Sequence, residues 1–328
     1  MDQPKFLPAS DTEEPTRSGP AAERRGSTVS GQGKLAPVKL RVVQAAADIR
    51  ASEPQIAYQH TVLCQTCLPY SDPGPDVREW ERDNGRVMLS LEAGKAMHPT
   101  DGLVRVGLPF GPKPRLIMSY LNTQAIIKQK PEIDVEGSLT AFVKRVGLAS
   151  HGRNITTIKD QLARLSATRV TLGMVNSESS TTTVNTTLIS KFDLWFPRDE
   201  RQRVMWPTSI TFGREYFESL VNHAVPLDER ALAALSDSAM ALDIYAWLGQ
   251  RLHRVHAREA AFIPWPAVQR QFGQSFARLR KFREKFKIAL NDVLKVYPGA
   301  QVGVTRRGLS LYQSPPPVPY RDVKKLVG

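Results

Sequence analysis

Cysteine is nearly absent from this chain: two residues in 328, too few for a disulfide scaffold. No apolar run approaches the roughly 18 residues that a membrane span needs. The opening, MDQPKFLPASDTEEPTRSGP, lacks the apolar segment behind basic residues that marks a secretory leader, so a cytoplasmic protein is expected. No 20–50-residue repeat is visible at the level of identity. Acidic residues are scarce at one end, with four Asp and Glu against sixteen Lys and Arg over residues 251–328. What is present excludes a wholly disordered chain: hydrophobic residues make up 41% and charged residues 23%. The length suggests two domains, each able to bury a core.

The net charge is +13, and an excess of 12 lies in residues 251–328. A field of that density attracts a polyanion, with nucleic acid ahead of anionic membrane. The bland reading is a basic surface that serves only solubility.

Residues 1–37 are rich in Pro, Ser, Gly, Glu and Arg without apolar period and read as a disordered arm. The Ala/Val-rich VKLRVVQAAADIR reads as a helix, and LPYSDPGPDVREWERDNG as a long polar loop. RVMLSLEAG and LVRVGLPFG read as short strands, with turns at Gly94 and Gly111. PRLIMSYLNTQAIIKQ reads as a helix.

SLTAFVKRVGL spaces Leu139, Phe142, Val143 and Val146 for a helix, with Ser138 as N-cap and Gly147 placed to end it. NITTIKDQLARLS then begins with Asn154 as N-cap, and Ile155, Ile158, Leu162 and Leu165 form one stripe. Its polar face offers Arg153, Thr156, Thr157, Lys159 and Gln161 to bases or phosphates. TRVTLGMV, a polar Ser/Thr tip and TTLISKFDLWF follow as a hairpin. Helix, turn, helix and hairpin in that order describe a winged helix.

The last third repeats the order. ALDIYAWLGQRLHRV is a helix; FIPWPAVQRQFG gives a strand and a short helix with Pro266 in its first turn. A long helix is expected from about Ser275 to Val296, its core stripe Phe276, Leu279, Phe282, Phe286, Leu290 and Val293. Arg280, Lys281, Lys287 and Asn291 point away from that stripe, and Arg278, Arg283 and Lys285 lie along its edges. AQVGVT, the turn RRG and LSLYQS form a wing with Arg306 and Arg307 at its tip. The fold class is therefore α+β, with two tandem winged-helix domains (38–205 and 206–320) between the arm and a basic tail, 321–328.

Several strings also resemble one family, the plasmid replication initiators of the RepA type: EIDVEGSLTAFVKRVGL, DQLARL, HAVPLDERALAALSDSAMALDIYAWLGQRLHRV, and late VYPGAQV, GLSLYQS and PPPV. The resemblance covers most of residues 38–320. It implies a C-terminal winged helix that reads direct repeats at a plasmid origin. It implies an N-terminal domain for dimerisation and backbone contacts, local duplex opening, and recruitment of host initiator and replicative helicase in a bacterial cytoplasm. A dimeric form would repress its own gene.

Other motifs have plainer readings. Cys64 and Cys67 form C-x-x-C near His60 and His98, but no second Cys pair completes a zinc site, so they read as ordinary thiols. His253 and His256 lack the His-hydrophobic-His triplet of nicking initiators and read as ordinary helix-face histidines. Glu132, Asp134 and Glu136 precede a helix start, where negative charge is favoured. PPPVP reads as a stop to the last strand, and Trp195, Trp206, Trp247 and Trp265 as core or interface residues. No metal, cofactor or catalytic residue is expected. The sequence thus points to an initiator that binds double-stranded DNA as a homodimer. The runner-up is a winged-helix repressor that leaves the duplex closed, and a nickase or primase comes third.

Overall fold

Early and late parts of the chain share one core in the computed structural model, which describes residues 37–98, 101–135, 139–145, 147–192, 209–273 and 275–319. The expected arm up to residue 36, the boundary at 205/206, Ser138, Val146, Glu136, Trp195, Trp206 and the tail 321–328 lie outside these.

The Ala/Val segment is helical as read: α1 (Pro37–Ala51) buries Val42 and Ala46. β1 (Ile56–His60) runs directly into α2 (Thr61–Gln65), whose N-cap is His60. The segment read as a polar loop contains a strand, β2 (Glu79–Asp83). Its alternation was hidden because the inward positions are Trp80 and Arg82, the guanidinium lying 3.4 Å from the indole centroid. β3 (Val87–Ala93), β4 (Lys95–His98) and β5 (Gly102–Arg105) follow, β4 pairing with β5. Of the two expected turn glycines, Gly111 adopts φ 75 and starts the next helix, while Gly94 takes ordinary backbone angles between β3 and β4.

α3 (Pro112–Lys128) is buried along most of its length, and β6 (Glu132–Asp134) leads to α4 (Leu139–Arg145). α4 ends as its sequence demands. Gly147 sits at φ 77, its N–H donates to Lys144 O, and Leu148 N–H reaches back to Val143 O, closing a Schellman turn. α5 (Gly152–Ala167) buries Ile158, Leu162 and Leu165, with Ile155 packed at the edge of the core. Two details of this helix differ from expectation. Its N-cap position is His151, without a side-chain capping bond, and Asn154 instead donates to Ala149 O at 2.8 Å, inside the first turn.

The hairpin after α5 is displaced from its expected position. β7 (Thr168–Ser177) pairs with β8 (Ser180–Thr187), so the Ser/Thr stretch read as a tip is itself a strand. Its hydroxyls concealed it, because Thr and Ser on an exposed edge need no apolar alternation. ISKF is β9 (Ile189–Phe192), which pairs with β10 (Ser209–Phe212) rather than with β7. The sheets built so far are antiparallel: β2-β3-β7-β8, and β6-β10-β9.

α6 (Arg214–His223), β11 (Ala224–Asp228), α7 (Glu229–Ala234) and α8 (Ala239–Arg251) come next, with a 3-10 turn over Leu252–Arg254. Asp228 and Ser238 cap α7 and α8 by accepting from Arg230 N–H and Ala241 N–H. β11 pairs with β1, His60 opposite Ala224 and Ile56 opposite Asp228. The chain closes with β12 (Ala261–Pro264), α9 (Trp265–Phe272), α10 (Leu279–Val296), β13 (Val302–Val304) and β14 (Gly308–Leu311), the strands ordered β12-β14-β13.

α8 lies at the centre, buried on nearly every side, and packs on α2, α3, α10 and β11. One apolar cluster runs from Val42 to Leu311. The helix carries one charge into it, Asp243, which receives Arg115 Nε and Nη2 in a bidentate pair at 2.7 Å. Arg115 also donates to the carbonyls of Gly111 and Leu68. Burial raises the Asp243 pKa, and the adjoining Arg115 opposes that by charge and hydrogen bonds.

Candidate nucleic-acid interface

α10 begins four residues later than expected. Phe276 is half-buried ahead of it, and Arg278 occupies the N-cap without a side-chain capping bond. Along the helix Phe282, Phe286, Leu290 and Val293 are buried as spaced, which leaves the opposite face to charge. Arg278, Arg280, Lys281, Lys285 and Lys287 are exposed, Arg283 is half-buried, and Asn291 is exposed. Arg280 meets Glu284 at 3.5 Å, an ion pair so open (90% and 52% exposed) that it barely restrains either partner. No acidic residue occupies the first turn. Three cations therefore crowd the positive end of a helix dipole, a locally unfavourable arrangement that a polyanion would relieve.

Trp265 joins this helix to the β13–β14 hairpin. Its ring is buried against the edges of Phe282 and Phe286, at 6.4 and 5.8 Å between centroids. The Arg283 guanidinium and the Lys287 ammonium lie 5.2 and 6.0 Å from its centroid. Its indole N–H donates to Thr305 O and its backbone N–H to Arg307 O. The residue does serve the core, as expected, but it also anchors the tip on which Arg306 and Arg307 stand exposed. Its flanking prolines at a strand-to-helix junction were the available signal for that second role.

The tip is built by Thr305, whose hydroxyl accepts from the N–H groups of Arg307 and Gly308 and donates to Gly308 O. Gly308 allows β14 to approach β12, since a Cβ there would overlap the Ile263 carbonyl oxygen.

The second set of candidates stands on α5. Arg153 and Thr156 are exposed, and Thr157 and Lys159 are half-buried. Both hydroxyls donate within the helix, Thr156 to Gly152 O and Thr157 to Arg153 O, leaving their lone pairs outward. Gln161 does not belong with them. It is 1% exposed, its Oε1 accepts from Phe110 N–H, and its amide donates to Asp160. α5 packs on α3, α4, β4 and β9, whereas α10 packs on α8, α1, α9 and α7. The two sets therefore occupy separate helices with separate supports.

The other motifs resolve into packing. Cys64 and Cys67 are free thiols in the core, pushed well above their usual pKa by burial first and then by the nearby Asp243. His60 is fully buried, Nδ1 accepting from Val62 N–H and Nε2 donating to Ser219 Oγ; burial, then His223, lowers its pKa to about 3. Asp134 pairs with Lys128 at 2.8 Å. His253 and His256 do not share a helix: the first lies in the 3-10 turn and the second beyond it. Trp247 is buried against Phe272. β14 ends at Leu311, before the prolines, and Tyr297 donates to Pro315 O. Among the described residues, no helix is long and apolar enough to cross a membrane.

Comparison with known proteins adds one family. Residues 108–267 match the plasmid-encoded RepA protein family. No curated protein matches the chain. Among solved structures, a selenomethionine form of domains 2 and 3 of RctB is similar, with 9% identity, 75% of this chain and 95% of that one covered, and a TM-score of 0.47. RctB residues 155–483 give 10% identity, 76% and 94% coverage, and a TM-score of 0.45.

Proposed function

We propose that this chain, whose residues 108–267 match the plasmid-encoded RepA protein family, is a plasmid replication initiator that binds direct repeats at its origin. Two winged helices would do the binding: α9, α10 and the β12-β14-β13 wing, and α4, α5 and the β7–β8 hairpin. The observation that carries the reading is the face of α10, where exposed cations crowd a helix start beside a wing pinned by Trp265. Recognition helices present their N-terminal residues to base edges in the major groove, which favours Arg280 and Lys281 as readers. Arg306 and Arg307 would clamp phosphates, with Arg278, Arg283, Lys285 and Lys287 beside them and Arg153, Thr156, Thr157 and Lys159 on the second module.

Residues 206–320 would hold the repeat reader, and residues 38–205 the dimer contacts and further backbone contacts, laid over the shared core. Work at the origin would then be binding and strand opening in the bacterial cytoplasm, without bond chemistry by this chain. Host initiator and helicase would be recruited to the opened duplex. Permanganate footprinting of a supercoiled origin tests this. Reactive thymines in an A·T-rich segment are expected on adding the protein. A chain that binds the repeats while every thymine stays protected is a repressor only.

A further inference from the structure

The turn between β2 and β3 faces the ends of α8 and α9 across a cavity of about 420 Å³. Three arginines line it from three distant segments: Arg86 in the turn, Arg251 at the last residue of α8, and Arg270 on α9. Asp83 is the carboxylate in the lining, and its Oδ1 already accepts from Gly85 N–H. Neither Arg86 nor Arg270 makes an ion pair among the described residues.

The walls are fixed before anything enters. Asn84 Oδ1 accepts from both Arg86 N–H and Val87 N–H, and Gly85 at φ 84 completes the turn, so the Arg86 backbone is held. Asn84 and Gln271 amides both donate to Gln65 O, tying the turn and the end of α9 to α2. A second cavity of about 340 Å³ shares Gln65 and Arg86 and adds Arg254.

Arg251 separates this place from an ordinary basic surface. Its Nε is buried with no hydrogen-bond partner among the described residues. Burial, and then the charge of Arg86, lowers its pKa. A buried donor without an acceptor is unfavourable, and Asp83, the carboxylate in the lining, makes no hydrogen bond to it. An anion in the cavity would offset the like charges of Arg86, Arg251 and Arg270. The polar lining excludes an apolar ligand, and the volume admits one or two phosphate groups. From the convergence of Arg86, Arg251 and Arg270 on a preformed polar cavity, we infer a binding site for a phosphate-bearing anion, apart from the face of α10.

Inorganic pyrophosphate is the probe, titrated calorimetrically into the full chain at constant ionic strength. One pyrophosphate per chain is expected, and Arg86→Ser weakens it about tenfold, the value of one charge-assisted hydrogen bond. That variant folds normally because Arg86 is exposed and only its backbone is held, which an unchanged melting temperature checks. Arg306→Ser with Arg307→Ser leaves pyrophosphate binding intact. A scrambled duplex then identifies the source of the phosphate. If it belongs to a DNA backbone, the duplex displaces pyrophosphate and Arg86→Ser lowers the salt slope of duplex binding by about 0.9. If it belongs to a small molecule, duplex and pyrophosphate bind together. No pyrophosphate binding by the wild type, or equal binding by wild type and Arg86→Ser, overturns the site. A chain that binds pyrophosphate but no duplex keeps the site and loses the DNA reading.

Discussion

Arg280 and the wing arginines differ in what each reaches, and that difference is measurable. Replacing Arg280 by Ala should remove about 1–3 kcal/mol from the specific site alone if its guanidinium reads a guanine. Replacing Arg306 and Arg307 by Ala should weaken specific and scrambled duplexes alike and flatten the salt slope by up to about two contacts. Titration of one repeat and one scrambled duplex over a salt series decides both, and an unmoved affinity ratio removes Arg280 from the reading surface. His60 carries a second prediction at this scale. Its folded pKa of about 3 lies below the value of 6.5 it regains on unfolding, so the unfolded chain binds the extra proton between those limits. Stability is therefore full above pH 6.5 and falls as pH drops toward 3, by about 2 kcal/mol at pH 5. Urea unfolding at pH 7 and pH 5 should give a smaller loss for His60→Gln than for wild type; equal losses would place the proton elsewhere. Single residues were legible where spacing alone fixed them, as at Gly147. They were not where a polar side chain turns inward, as Gln161 does for Phe110.

Elements that bury one stripe were the readable ones. α5 and α10 follow the i, i+3, i+4 rule, so apolar spacing located both, and the α10 start was missed only where Phe276 packs ahead of the helix. β2 and β8 escaped because one buries an arginine and the other is a Thr-rich edge. The β13–β14 hairpin was legible because RRG interrupts two alternating runs, yet its attachment to Trp265 is tertiary and leaves no local mark. That attachment leads to a prediction for the wing as a unit. Gly308→Ala pushes β14 from β12 against the Ile263 carbonyl, and should destabilise the fold by about 1–3 kcal/mol. Amide exchange in Val302–Leu311 should quicken more than in α10; uniform protection throughout would mean that the strands absorb the methyl.

At the scale of the molecule, α3 and α8 are joined by a pair of charges that no local pattern announces. Asp243→Ala leaves Arg115 buried beside apolar neighbours and should cost about 3–5 kcal/mol, read as a lower urea midpoint; a midpoint like that of wild type would mean that backbone carbonyls alone satisfy the guanidinium. The dimer reading has a place to fail as well. β8 ends the four-stranded sheet, with Thr181 and Thr183 exposed along its free edge. Thr181→Lys with Thr183→Lys should shift sedimentation of the full chain toward monomer, since like charges would meet across an edge-to-edge pairing; an unchanged dimer moves the interface off β8. The match over residues 108–267 was legible in strings of sequence, but the shared core was not, because it rests on strands far apart in the chain.

The packing of α1 on α10 also has a temporal side. About 230 residues separate Ala51 from Leu279, and a ribosome adding ~5–20 residues per second needs roughly 10–50 seconds to cover them. Through that interval α1 has emerged without α10, and for most of it without α7, which also packs on it, while β1 waits about 160 residues for β11. The apolar face of α1 is thus left without its folded-state cover for much of the chain's own synthesis.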